Sequence, residues 1–133
     1  MMGPIGGFVT SLLVTVAFLV AAAWTGRLRR IRAHVALVAS SVASLAVAIY
    51  FALRVGEIYD LEAAGVITPI HLNLARVTTL AYLWPLITGP LAARGRVAPR
   101  VHHLGAYVAL GLTVAATITG VMMLMGAEPL DLG

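Results

Sequence analysis

Four long apolar blocks, at about 5–25, 33–54, 69–91 and 100–125, leave this chain few ways to fold. An α-helix rises about 1.5 Å per residue, so about 20 apolar residues cross a hydrocarbon core about 30 Å thick. Hydrocarbon offers the backbone no hydrogen-bond partners, so each block must satisfy its own amides as a helix. Composition agrees: the 133 residues are 61% hydrophobic and 11% charged, where a soluble domain carries about a quarter charged residues. The expected architecture is all-α, an integral membrane four-helix up-down bundle forming one transmembrane domain over residues 1–133.

Charge orients the bundle. Seven of the nine arginines lie in two short loops, Arg27, Arg29, Arg30 and Arg32 after the first block and Arg94, Arg96 and Arg100 after the third. Basic loops stay in the cytoplasm, which places both chain ends and the acidic loop with Glu57, Asp60 and Glu62 on the outer, periplasmic side. The net charge of +4 is therefore a topology signal and not a nucleic-acid footprint. The first block has no charge before Arg27, unlike a secretory signal peptide, so it reads as a retained helix with Trp24 at the interface. The expected location is the bacterial inner membrane, multi-pass. Gly3-x-x-x-Gly7 reads as a close-packing motif between helices.

Cysteine is absent, which excludes disulfides, thiolate metal sites and covalently attached c-type heme. Histidine, methionine and carboxylate remain as ligands. The helix order sorts the histidines by depth. His34 opens the second block, and His102 and His103 open the fourth, so these three share the cytoplasmic end. His71 opens the third block at the other end, and one site using all four is excluded by a full membrane thickness. Steps of three and four from His102 reach Ala106, Ala109, Thr113, Ala116 and Gly120, a face of small residues suited to a partner helix or a flat cofactor. His102 is thus expected to face inward and His103 to lie nearer the headgroups.

Two neutral imidazoles at one depth, His34 with His102 or His103, suit a metal and most naturally heme b iron. The competing reading is that interfacial histidines bond headgroups or backbone carbonyls. At the outer end, His71 with Met122 and Met125 would make a soft site for Cu(I), against the plainer reading that methionine fills an apolar helix end. Arg76 lies two turns into the third block and needs a partner. Glu57, Asp60 or Glu62, a heme propionate and a lipid phosphate all qualify, with Asn73 one turn away to orient it. Thr68-Pro69 reads as a helix start with threonine as cap, and Pro85 as a kink, since it cannot donate to the Ala81 carbonyl. No nucleotide-binding loop, Ser-His-Asp set, HExxH motif or paired intramembrane carboxylates occur, so no enzyme is expected.

A basic loop leading into Arg32-Ala33-His34 is followed by Pro85-Leu86, a basic turn with a histidine opening the last block, and Thr119-Gly120. From Arg27 to Met123 this pattern resembles the CtaM-like family of small four-helix bacterial membrane proteins linked to cytochrome c oxidase assembly. The family's third-block histidine lies nearer position 75 than His71 does, and an arginine is common where His103 stands. The resemblance implies a respiratory setting, with a heme-copper oxidase or another membrane complex as partner. The function expected is that of an assembly or accessory factor. A b-type cytochrome subunit carrying electrons, and a purely structural subunit, are the alternatives.

Overall fold

The computed structural model describes residues 3–131. Helix α1 spans Pro4–Arg27, α2 spans Ile31–Ile58, α3 Ile67–Ala81, α4 Leu83–Ala93 and α5 Pro99–Gly126. The protein is all-α, and α3 with α4 forms one bent arm, so four arms pack as a bundle. Three of the described helices, α1, α2 and α5, are each long and apolar enough to cross a membrane.

The third arm is the exception, and proline is the reason. Pro85 has no N–H to give the Ala81 carbonyl, and the helix is interrupted at Tyr82, leaving pieces of 15 and 11 residues. Neither piece reaches the length of a span alone; end to end they do. The start of α3 differs from the sequence expectation. Val66 caps it and Thr68 already lies inside the helix, its hydroxyl donating to the Leu61 carbonyl. The short 3₁₀ turn at Glu62–Ala64 brings that carbonyl back to the hydroxyl, and with the helix starting at Ile67 Thr68 is no longer at the cap position.

Connections at the basic end are short. Only Leu28, Arg29 and Arg30 separate α1 from α2, and Arg29 turns the chain in the left-handed region with φ 56°. Arg32, expected in the loop, lies in the first turn of α2. At the opposite end two short strands, β1 (Tyr59–Asp60) and β2 (Glu128–Pro129), pair antiparallel, and Leu130 N–H donates to the Ile58 carbonyl at 2.9 Å. The acidic tail is thereby tied to the acidic loop.

Packing explains the small-residue faces. Helix α5 is the hub, lying against α1, α3 and α4, while α2 packs along α1. The buried positions of α5 include Gly105, Ala109, Thr113, Ala116 and Gly120, at helical steps of three and four, so neighbouring backbones come close. A Cβ on Gly105 would stand 2.5 Å from the Trp84 ring, and one on Gly120 would stand 2.9 Å from the His71 ring. The core is weakly polar. Thr15 is fully buried, its hydroxyl 2.7 Å from the Ser11 carbonyl and 2.8 Å from the Ser44 hydroxyl. Among the described residues no buried side-chain polar atom lacks a partner, as a low-dielectric interior demands.

Candidate functional site

Two of the four histidines lie edge-on to one another at the basic end of the bundle. His34 in the first turn of α2 and His102 near the start of α5 have ring centres 6.1 Å apart and ring planes at 87°. The hydrogen bonds behind each ring assign its proton. His34 Nδ1 lies 2.7 Å from the Ala22 carbonyl oxygen, which only accepts, so Nδ1 carries the hydrogen. Thr88 gives its own hydroxyl proton to the Trp84 carbonyl at 2.7 Å and therefore accepts from His102 Nδ1 at 3.4 Å. His102 also bonds the Pro85 backbone carbonyl, so acceptors from neighbouring helices hold both rings, as they do for metal-binding histidines.

Small residues make room for both rings. Gly26 sits against His34 and Gly89 against His102, where an added Cβ would come within 3.0 and 3.1 Å of the respective rings. Between them lies a cavity of about 70 Å³ lined by both histidines, by Ala22 of α1, Ser41 of α2 and Ala109 of α5, and by Pro85 of the bent arm. Tyr82 lines it too; it is buried, with its hydroxyl 3.0 Å from that of Thr113. Thr113 donates to the Ala109 carbonyl at 2.7 Å, so the phenol is the donor in this pair. Tyr82, Thr88, Gly26 and Gly89 were missed in the sequence. A glycine four residues beyond a helical proline was the available sign for Gly89.

His103 points elsewhere. It is exposed, with its ring centre 6.0 Å from that of His102 and tilted by 54°. At the far end His71 is buried, 5% exposed, and packs edge-on against Phe8 with ring centres 6.3 Å apart. Its Nδ1 is 3.0 Å from the Thr119 hydroxyl. Thr119 spends its own proton on the Ala115 carbonyl at 2.9 Å, so His71 donates. Met122 and Met125, 51% and 83% exposed, face away from the interior that holds His71, and the three do not converge; Met123 is the buried methionine there. Among the described residues, no three of histidine, aspartate and glutamate gather in one place.

The acidic loop serves itself. Glu57 pairs with Arg54 at 2.6 Å, both exposed. The Asp60 carboxylate accepts the Glu62 backbone N–H at 3.0 Å. Arg76 reaches neither Glu57, Asp60 nor Glu62: its guanidinium lies 3.4 Å from the Asn73 side-chain oxygen, on an exposed face of α3. Of the residues singled out in the sequence, His34 and His102 are the pair that the fold brings together on one apolar cavity. No family model matches the chain, and comparison with curated proteins and with solved structures returns no match.

Proposed function

We propose that this protein is an accessory or assembly factor for a heme-copper oxidase, in which His34 and His102 hold a metal centre. One observation carries the reading: the two ring centres lie 6.1 Å apart, edge-on, on one cavity, with their Nδ1 atoms turned to Ala22 and Thr88. A metal bonded to both rings at about 2 Å on each side would set ring centres about 6 Å apart, and the observed spacing is of that size. The respiratory setting rests on the resemblance of the Arg32-Ala33-His34, Pro85-Leu86 and Thr119-Gly120 pattern to the CtaM-like family. The orientation rests on the arginine loops, with Arg27 to Arg32 and Arg94 to Arg100 in the cytoplasm, so the metal centre lies toward the cytoplasmic face of a bacterial inner membrane.

The size of the cavity bears on which occupant is proposed. At about 70 Å³ it admits a bare ion as it stands, whereas pockets for drug-sized molecules run to about 300–1,000 Å³. A b-type heme, the second reading, uses the same two nitrogens but needs α2 to move away from the bent arm. Because α2 packs chiefly along α1, that movement breaks little packing. Such a centre supplies one-electron chemistry or the metal itself. The chain's own residues would hold it through the two rings and surround it with a mostly apolar wall.

The test is the metal and heme content of detergent-purified protein, with spectra before and after dithionite. A stoichiometric metal lost in both His34→Ala and His102→Ala supports the site, and a reduced α-band of b type identifies heme as the occupant. Protein that is colourless and metal-free when purified from metal-replete cells sinks both forms and leaves a structural subunit. Oxidase metal and heme content in a deletion strain tests the assembly role; an unchanged content overturns it.

A further inference from the structure

Arg76 is a charge on the wrong face for an ion pair within the chain. It lies nine residues beyond Ile67, about 14 Å along the helix, well inside a hydrophobic span. The side of α3 that packs inward carries Thr68, His71 and Thr78. At 100° per residue Arg76 falls about 140° around the helix from His71, beside exposed Val77 and Leu80. Among the described residues, Glu57 lies in the last turn of α2 and is taken by Arg54, Asp60 accepts a backbone amide, and Glu62, Glu128 and Asp131 lie in the loop after α2 and the tail after α5. A guanidinium left facing hydrocarbon is costly, so an anion must come from outside the chain.

The geometry points to the phosphate of a membrane phospholipid, held by Arg76 with Asn73. Side chains on a helix lean toward its N-terminus, and the guanidinium reaches back one turn to Asn73, toward the acidic end of the bundle. That brings the charge to about 9 Å from the start of α3. The bent arm runs from Ile67 to Ala93, about 40 Å of helix against a hydrocarbon core of about 30 Å, so it overhangs by about 5 Å at each end. The guanidinium thus sits a few ångströms inside the headgroup boundary, within reach of a phosphate there and above the depth at which a carboxylate on a neighbouring helix would itself need burying. Its fork of N–H donors matches phosphate oxygens. Asn73 uses its carbonyl oxygen on Arg76 and keeps its amide hydrogens for the same anion. Below the pair, Leu80 and Leu83 are exposed apolar surface for the acyl chains.

The test is native mass spectrometry of detergent-purified protein titrated with phosphatidylglycerol. Wild type is expected to retain a tight single-lipid adduct. Arg76→Leu should lower its affinity about tenfold, the worth of a charge-assisted hydrogen bond; Arg76→Lys and Asn73→Ala should fall between. Arg94→Leu, in the basic loop, should leave the adduct intact, and apparent melting temperatures check that every variant is folded. Equal lipid retention in Arg76→Leu overturns the proposal. So does a photo-crosslinker at position 77 that captures a protein from intact membranes in place of lipid. Free inorganic phosphate at millimolar concentration should not displace the lipid; if it does, the acyl-chain surface has no part.

Discussion

Single residues in this bundle matter through their smallness as much as their chemistry. Gly105 gives the Trp84 ring its place, and a methyl group there has 2.5 Å where it needs about an ångström more. Trp84 is also tied down, its Nε1–H donating to the Val101 carbonyl at 3.0 Å, so it cannot simply swing aside. Gly105→Ala is expected to destabilise by about 1–3 kcal/mol, the usual range for overpacking. Gly111 has open space around it, and Gly111→Ala should be neutral or slightly stabilising because alanine favours helix. Apparent melting temperatures in one detergent, compared between the two variants, check this; similar losses in both would mean that α5 does not approach α4 as described. His71 gives a second case. Its ring fills space between Phe8 and Gly120, and it bonds the Thr119 hydroxyl and the Ala116 backbone carbonyl. His71→Phe loses those bonds and adds ring volume against Gly120, so it should cost about 1–3 kcal/mol and leave the metal content of the purified protein unchanged. A fall in metal content would return His71 to the ligand set.

Among the elements, the bent arm decides the shape of the cavity. Pro85 removes one backbone hydrogen bond and lines the space beside His102, and the break it causes at Tyr82 aims that phenol at Thr113. Pro85→Ala restores an amide for the Ala81 carbonyl and should straighten the arm, drawing Tyr82 and Thr88 out of place. The expected result is an unchanged or raised melting temperature with a lower metal content per chain, read by elemental analysis. A variant as loaded as wild type would show that the bend does not shape the site. This element also shows where sequence reasoning reached its limit. The apolar blocks announce four arms because membrane spans have one length scale, and Pro85 announces a bend because it lacks a donor. Thr68-Pro69 misled because the folded loop starts the helix earlier, at Ile67, and gives the Thr68 hydroxyl the Leu61 carbonyl as acceptor. The meeting of His34 and His102 was approachable from depth and phase, since both open helices at the same end. The acceptors that hold their rings were not, because Ala22 and Thr88 come from other helices. The pairing of Tyr59–Asp60 with Glu128–Pro129 left no trace in so short a tail.

At the scale of the molecule, one question of orientation governs both proposed sites. With the arginine loops in the cytoplasm, the His34–His102 pair lies toward the inner face and the Arg76–Asn73 pair toward the outer leaflet. Cysteine is absent from the chain, so single engineered thiols report cleanly. Leu28 in the first basic turn is half exposed, Ala98 precedes α5, and Ala63 lies in the acidic loop, both exposed. Gly95 is a poor choice because its φ of 72° strains any other residue. A membrane-impermeant maleimide added to cells with a permeable outer membrane should label Ala63→Cys at once. Leu28→Cys and Ala98→Cys should react only after the inner membrane is opened. The reverse pattern would invert the bundle, moving the histidine pair to the periplasmic face and the lipid site to the inner leaflet. Labelling of Leu28→Cys and Ala98→Cys from opposite sides would be more damaging. The two histidines open helices that follow those turns, so their ring centres can lie 6.1 Å apart only if both turns lie on one side of the membrane.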